Sequence, residues 1–517
     1  MQPSSTVSTV PRLVQQRAAE LGTRTAVRFE GRPCSYAELD ARAAAVQVWL
    51  TEQGVAKGDR VAILMRNSLE FLYAWLGVAR AGAVGVPINT SATGEALTHP
   101  LVHSQSVGLI ADDDLLELVE NTDGIPERLW KASTGRIGVI AAAAPTEHVE
   151  PVELTGPDPM NIIYTSGTTG LPKGVVLSHT SYLHTGAYFA RHLGLHSEDV
   201  LHTCLPLFHC NAQQTTVMSG LTLGARVELN GKFSLSRFRR WLADSGATVT
   251  NLLGAMITLL DKTDPLPTDA TTPLRYIIGG PVPQNLHAKL EERFQVRVVE
   301  GYGLSETGTM ACMNPPDDRR PGTFGLPLEY TELRVVDSEG RDLGPDQPGE
   351  LLVRSSVPHA FMTEYFRDPE KTAEAVQDGW FHTGDVCLRR EDGYYVFVDR
   401  LKDTIRRRGE NISSYLVEKA IGEHPGVMEV AAIGVPSELG EEDVLVAVVP
   451  RPGSDLTPEE VFRWSQEHLG DFMRPRYVEL REDLPRTETG RVHKYTLREQ
   501  DHGGAWDAER ELGTRRG

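Results

Sequence analysis

Tyr164-Thr165-Ser166-Gly167-Thr168-Thr169-Gly170-Leu171-Pro172-Lys173-Gly174-Val175 is the stretch on which the reading of this chain turns. Between Thr165 and Gly174 stand three glycines, four hydroxyl side chains and one lysine. Such a composition offers little to a hydrophobic core. It suits an anion, because glycine lets backbone N–H groups turn inward and hydroxyls add donors. Lys173 adds a compact positive charge. The spacing is not that of a P-loop, which needs Gly-Lys-Ser/Thr, and here Pro172 precedes the lysine. The largely apolar Met160-Asn161-Ile162-Ile163 leads in and the β-branched pair Val175-Val176 leads out. A flexible surface loop is the plain alternative; the composition points instead to nucleotide chemistry outside the P-loop NTPases.

Outward from this loop the chain alternates helix and strand patterns. Apolar residues at three- and four-residue spacing predict a helix over Tyr36 to Leu50, followed by a strand at Arg60 to Met65. A second helix, about Leu69 to Ala81, leads through Gly82 into a strand over Ala83 to Ile88. Further strands are predicted at Val107 to Ala111, Thr248 to Leu253, Leu274 to Ile278 and Val296 to Glu300. This alternation predicts parallel strands covered by helices, an α/β architecture. From about Thr331 short strands and turn signals predict a small β subdomain, about residues 323–400. Charges crowd at Asp399 to Arg408, and a domain boundary is expected near Lys402. Beyond it, helices are predicted at Tyr415 to Glu423 and Pro458 to His468, with strands at Val430 to Val435 and Val444 to Val449. The charged, Gly-rich tail from Asp501 is expected to be disordered.

The 517 residues are too many for one core. With 52 Lys and Arg against 71 Asp and Glu, the net charge of −19 argues against a nucleic-acid partner. Met1 to Val10 has neither the basic start nor the apolar core of a signal peptide, and no run approaches the length of a membrane span. Cys34, Cys204, Cys210, Cys312 and Cys387 follow no metal-ligand or redox spacing, and scattered thiols suit a reducing cytoplasm. A cytoplasmic multidomain protein is expected.

Several other segments concentrate polar chemistry. Gly279-Gly280-Pro281 ends one strand-like run, where an open sheet carries its ligand crevice. Gly301-Tyr302-Gly303-Leu304-Ser305-Glu306-Thr307 ends the next, combining an aromatic, glycines, hydroxyls and an acid. Gly379-Trp380-Phe381-His382-Thr383-Gly384-Asp385 presents a carboxylate on a turn, and Asp399-Arg400-Leu401-Lys402-Asp403 follows at the boundary. Each alone reads as structure; all of them in this order are hard to explain by chance.

Together these motifs resemble the acyl-adenylate-forming superfamily of acyl-CoA synthetases, luciferases and adenylation domains, from about residue 10 to residue 498. The chain looks most like the stand-alone acyl-CoA ligases, including the crotonobetaine/carnitine-CoA ligase-like branch, notably through Arg408-Gly409-Glu410-Asn411-Ile412-Ser413. The resemblance implies a large N-terminal domain, residues 1–400, of layered α/β sheets plus the small β subdomain. It also implies a small α+β C-terminal domain, residues 401–500, that rotates about a hinge. ATP and a carboxylate would give an acyl-adenylate, from which CoA would displace AMP to form a thioester; ATP or acyl-AMP, CoA and Mg²⁺ are the implied cofactors.

The resemblance also implies roles. Thr165, Ser166, Gly167, Thr168, Thr169, Gly170 and Lys173 would hold the phosphates, Lys173 also acting in catalysis. Gly279, Gly280 and Pro281 would flank the adenine. Gly301, Tyr302, Gly303 and Ser305 would complete the nucleotide site, with Tyr302 stacked on the base. Glu306 would bind Mg²⁺, a hard cation that prefers carboxylate oxygen. Asp385 would accept from the ribose hydroxyls, supported by Arg400. Lys402 matches the hinge, Arg406 and Arg408 the CoA side, and Gly409 the border of the pantetheine tunnel. His209 matches a position at the acyl pocket, with Asn211 and Gly254 near it. Amino-acid-activating relatives place an aspartate near Cys210-Asn211-Ala212; none is present, which favours a plain carboxylic acid over an ammonium-bearing one. The chain ends without a fused carrier domain, so free CoA is the expected thiol.

One position breaks the pattern. In Leu484-Pro485-Arg486-Thr487-Glu488-Thr489-Gly490-Arg491-Val492-His493-Lys494, Arg491 stands where the family carries a lysine that serves adenylation. A guanidinium is a wide planar fork, whereas an ammonium is a compact tip. Two readings follow: a tolerated swap with slower adenylation, or a protein confined to thioester formation that receives its acyl-adenylate from a separate adenylating enzyme. The second is similar to the split-function acyl-CoA ligases of diterpenoid antibiotic pathways such as platensimycin, and would extend the substrate to bulky or terpenoid acids. A carrier-protein-loading adenylation enzyme and a non-catalytic adenylate binder are the alternatives.

Overall fold

The computed structural model describes residues 7–143, 148–165, 171–280, 282, 284–401, 403, 405–407, 410–437, 442–470, 473–486 and 492–512, with the backbone alone at 255, 284, 285, 406, 410 and 411. The first predicted helix is Tyr36–Glu52. Its start is set by a capping box: Ser35 accepts from the Glu38 N–H at 3.2 Å while Glu38 reaches back to the Ser35 N–H at 2.8 Å. The second, Leu69–Arg80, buries every residue except Glu70, as befits a helix apolar on all sides.

These helices cover two large sheets. One has seven strands in the order Glu364–Tyr365, Lys173–Ser178, Pro159–Thr165, Val84–Pro87, Arg60–Leu64, Gly108–Ala111, Trp130–Ser133. The other has nine, with Val249–Leu253, Tyr276–Gly280 and Arg297–Tyr302 adjacent and parallel. The expected alternation of parallel strands and helices is therefore what forms. The strand expected at Leu274 to Ile278 lies two residues later, so Gly279 and Gly280 are its last residues.

The β subdomain is a five-stranded antiparallel sheet of Thr331–Val336, Gly349–Ser355, Trp380–Arg389, Val376–Gln377 and Tyr395–Arg400. Within it the chain makes one excursion: Glu364–Tyr365 pairs with Val176 and Val175 on the edge of the seven-stranded sheet. The smaller C-terminal domain has its own sheet, Val427–Pro436, Glu442–Pro450, Tyr477–Leu480 and Trp506–Asp507, and its own core around Ile405, Val417, Ile421, Val446 and Val461. The tail departs from expectation. Trp506 and Asp507 pair with Val478 and Tyr477, Asp507 accepts from Arg476, and Ala508–Leu512 is a helix. A composition read as disordered is held by one tryptophan packed against the core and one half-buried arginine. Among the described residues no helix is long and apolar enough to cross a membrane, and the five cysteines are buried and form no disulfide.

Candidate active site

Four neighbouring parallel strands of the nine-stranded sheet, Val200–Thr203, Val249–Leu253, Tyr276–Gly280 and Arg297–Tyr302, end on the same edge. That edge is where an open α/β sheet keeps its crevice. From these ends run the segment with His209 and Asn211, the helix that begins at Gly254, the Gly279–Gly280 pair, and Gly303 to Glu306. Backbones crowd here. A Cβ on Gly280 would come within 2.7 Å of the Gly301 oxygen, and one on Gly303 within 1.8 Å of the Thr309 oxygen. Only glycine fits.

Hydrogen bonds join the segments. Cys210 Sγ donates to Ser305 Oγ at 3.5 Å. Asn251 Nδ2 donates to Asn211 Oδ1 at 3.4 Å and to Thr215 Oγ1 at 2.6 Å. Asn211 immediately precedes a π-helix, Ala212–Met218, in which Gln213, Gln214, Thr215 and Thr216 are all buried. Their side chains are satisfied inside the protein: Gln213 by Asn161, Tyr182 and the Leu207 oxygen, Gln214 by Ser181 and Thr309. The N–H of His209 donates to the Pro206 oxygen at 3.1 Å, and its ring lies 4.6 Å from that of Phe208.

Asp385 is on a strand, not the open turn read from Gly384. Gly384, at φ 66°, kinks the strand beside a register shift, and Asp385 is paired in register with Arg400. Its side chain is only 1% exposed, with Arg400 Nε 2.7 Å from Oδ1. The Tyr302 hydroxyl donates to Oδ2 at 2.5 Å. Burial, and then the Asp385 charge, push the Tyr302 phenol well above its ordinary value, so it stays a donor. Phe324 packs against the Tyr302 ring, centroid to centroid 4.8 Å.

A second chain of contacts runs through a residue that the sequence reading did not single out. Tyr365 donates its hydroxyl to Glu306 Oε1 at 2.9 Å, and Lys173 Nζ sits 4.6 Å above the same ring. The Met362 N–H donates to the Glu306 backbone carbonyl oxygen at 2.8 Å. Burial raises the Glu306 carboxyl above its ordinary range; its own backbone N–H, the Tyr365 hydroxyl, Arg400 and Lys173 pull the other way. One tyrosine thus spans the lysine of the glycine-hydroxyl hairpin and the acid of the Gly301–Glu306 segment. Asn251, also missed, is the residue that ties Asn211 to the strand leading into Gly254.

Two sequence models match: the AMP-binding enzyme model over residues 14–366 and its C-terminal domain over residues 416–491. The chain belongs to the AMP-binding enzyme family. Within it the chain groups with acyl-CoA synthetases. It is 31% identical to the crotonobetaine/carnitine–CoA ligase of Salmonella paratyphi B over 93% of this chain and 97% of that one. Its fold matches ATP-bound MatB from Rhodopseudomonas palustris, with TM-score 0.85, 29% identity, and 95% and 98% of the two chains covered. It likewise matches o-succinylbenzoate CoA synthetase from Bacillus subtilis in complex with its acyl-adenylate intermediate, with TM-score 0.86, 25% identity, and 96% and 100% covered.

For this AMP-binding enzyme the structure brings together Thr165, Lys173, Gly279, Gly280, Gly301, Tyr302, Gly303, Ser305, Glu306, Asp385 and Arg400, and beside them His209, Asn211 and Gly254. Ser166, Gly167, Thr168, Thr169, Gly170, Pro281, Lys402, Arg408, Gly409 and Arg491 lie outside the described residues. Arg406 lies on the short strand Ile405–Arg407, opposite Asn411. Across the boundary, Asp399 accepts from the Ser414 N–H at 2.5 Å and Ser413 Oγ donates to the Val398 oxygen at 2.7 Å. Lys494 is held by Ser414 Oγ at 2.5 Å and Glu418 at 2.7 Å.

Glu300, on the strand that ends at Tyr302, is buried and accepts from the Val282 and Gly322 N–H groups at 3.2 Å each. Burial pushes its carboxyl up to about 7, against 4.5 for an ordinary glutamate. The folded state therefore binds this proton more tightly than the unfolded one. Its stability is full below the unfolded value, falls as pH rises towards about 7, and is level above that. Glu300→Gln removes this loss. Between pH 4 and pH 8 the stability of the variant relative to its parent, from denaturant midpoints, is expected to rise by up to ~3 kcal/mol. A difference that stays constant with pH contradicts the shift.

Proposed function

We propose that this protein joins a carboxylic acid to CoA as a thioester by way of an acyl-adenylate, and that transfer from acyl-AMP to CoA is the half-reaction it retains. The observation that carries this reading is the meeting of the strand ends at Gly254, Gly280 and Tyr302 with the Tyr302–Asp385–Arg400 chain. It is supported by relatives named as CoA ligases and by a similar fold seen with a bound acyl-adenylate.

In this reading Thr165 to Lys173 grip the phosphates, Gly279 to Pro281 flank the adenine, and Tyr302 stacks on the base. Asp385 accepts from the ribose hydroxyls. Because both its oxygens are engaged, the neutral Tyr302 hydroxyl swings aside, while the Arg400 ion pair keeps the carboxylate in place. Glu306 offers a single half-buried carboxylate, which suits Mg²⁺, an ion that keeps several waters and takes other ligands from phosphate. When bound, Mg²⁺ neutralises charge on those phosphates. Residues 401–500 rotate about Lys402 between the two steps, bringing Arg406, Arg408 and Gly409 to the CoA side. The CoA thiolate attacks the acyl carbonyl carbon, the bond to the AMP oxygen breaks, and AMP leaves.

The acyl group is a plain carboxylic acid. Asn211, where a partner for an ammonium would stand, bonds to the neutral Thr215 and Asn251. Leu253, 41% exposed, lies on the same strand face as Asn251 and offers apolar surface to a bulky group, a terpenoid acid included. Arg491 replaces the lysine that serves adenylation, so ATP is used poorly and a separate adenylating enzyme supplies acyl-AMP. The test has two arms. Candidate acids with ATP and Mg²⁺ are followed for pyrophosphate, and synthetic acyl-adenylates with CoA, or with a holo-carrier protein, are followed for thioester. Thioester with CoA and slow pyrophosphate release is the expected result. Brisk pyrophosphate release by the unaltered protein overturns the restriction, and thioester on the carrier alone overturns CoA.

A further inference from the structure

The two strands that bear Thr165 and Lys173 form a hairpin, with Tyr164 opposite Gly174 and Thr165 opposite Lys173. One helix, Glu95–His103, reaches both the first strand and the residue that leads into the second. On its first side, His99 Nε2 donates to the Pro172 oxygen at 3.0 Å, one residue before Lys173. On its second, the Tyr164 hydroxyl meets His103 Nδ1 at 2.9 Å, one residue before Thr165. The two imidazoles are one helical turn apart and stack at 5.0 Å, and the Tyr164 ring meets both edge-on at 5.8 and 5.9 Å. Phe366 closes the far side, its ring 6.0 Å from His103 and its N–H bonded to the Gly174 oxygen at 2.7 Å. Burial holds the His103 imidazole below its ordinary value, which favours the neutral ring, and its Nδ1 shares a hydrogen bond with the tyrosine hydroxyl.

We infer that His99 and His103 are positioning residues that hold both rims of the phosphate-binding hairpin at the separation a bound phosphate requires. The inference rests on the reading of Thr165 to Lys173 as the phosphate grip. Neither histidine touches the nucleotide. Each acts through a hairpin residue, His99 through Pro172 and Lys173, His103 through Tyr164 and Thr165. A carbonyl and a hydroxyl are fixed from one rigid helix, so the rims cannot separate without breaking one of the two bonds. Donors held in place before the ligand arrives are a source of affinity for an anion. The loss on removing them should fall on phosphate-bearing ligands alone.

The test is binding to the full chain of AMP, ATP and adenosine, which differ only in phosphate. His99→Ala and His103→Ala are each expected to weaken AMP and ATP about tenfold, ~1.4 kcal/mol, while adenosine binding stays the same. His99→Gln, whose amide can still donate to the Pro172 oxygen, is expected to recover most of the loss. Tyr164→Phe, which removes one hydroxyl and keeps the ring, is expected to match His103→Ala, and the double variant to be no worse than either. It carries the test if an alanine variant fails to fold. In thioester formation the same variants should raise KM for the acyl-adenylate and leave kcat unchanged. Equal losses for adenosine and AMP, or additive losses in the double variant, overturn the inference. An unaltered protein that binds AMP no better than adenosine overturns the reading of the hairpin itself; one that binds AMP better than adenosine while the variants match it overturns only the brace.

Discussion

Arg491→Lys is expected to raise ATP-dependent pyrophosphate release about 100-fold, the cost of a group misplaced by ~1 Å at a phosphoryl centre. An ammonium can sit between a substrate carboxylate and the α-phosphate and oppose the charge that builds there. A guanidinium of the same sign spreads that charge over a planar fork and needs more room. Among the described residues, the two cations that flank this segment are engaged elsewhere. Lys494, three residues on, is committed to Glu418 and Ser414 in a nook beside Asp399. Arg486, at the other end of the segment, pairs with Glu429 at 2.5 Å and bridges to Val492 across the chain. Restoring adenylation therefore falls to position 491. Thioester formation from synthetic acyl-AMP is expected to stay within about twofold, because an interaction made only in one transition state leaves the other step untouched. If pyrophosphate release does not rise, Arg491 is not what limits adenylation.

What could be read in advance differs from what could not for identifiable physical reasons. Helices such as Tyr36–Glu52 and Pro458–His468 announce themselves by spacing and by a capping residue, and they form within two residues of expectation. The glycine pairs near residues 279 and 301 were legible because close backbone approach admits nothing larger. The π-helix Ala212–Met218 was not. Gln213, Gln214, Thr215 and Thr216 are four polar residues in a row with no apolar period, yet each is buried and finds its partners inside the protein. Asp385 was legible as a carboxylate among site residues, but its burial follows from pairing with Arg400 across a sheet, a contact no local pattern contains. Tyr365 was hidden for the same reason. It sits on a two-residue strand that leaves the β subdomain to join the edge of another sheet, and only that pairing brings its ring to Lys173.

Tyr365 also carries the second large effect. Its hydroxyl and its ring do separate things, so two substitutions divide them. Tyr365→Phe keeps the ring under Lys173 and removes the donor to Glu306, leaving a half-buried carboxylate short of one partner. A hydrogen bond to a charged group of this kind is worth ~1.5–3 kcal/mol, so a loss of at least about tenfold in kcat/KM is expected for acyl-adenylate formation with ATP. The Mg²⁺ concentration needed for half-maximal rate should shift with it if Glu306 is, as proposed, the carboxylate that takes that ion. Tyr365→Leu removes the ring as well and with it the platform for the ammonium, worth about 0.5–2 kcal/mol more, for a total loss on the order of 100-fold. The ranking Phe above Leu is the decisive outcome, measured in both half-reactions alongside the thermal midpoint. If Phe and Leu lose equally, the whole effect belongs to the hydroxyl and the 4.6 Å approach of Lys173 to the ring is packing without consequence. If the Phe variant keeps its Mg²⁺ response, Glu306 holds its position through its backbone, by the 2.8 Å bond from the Met362 N–H, and not through Tyr365.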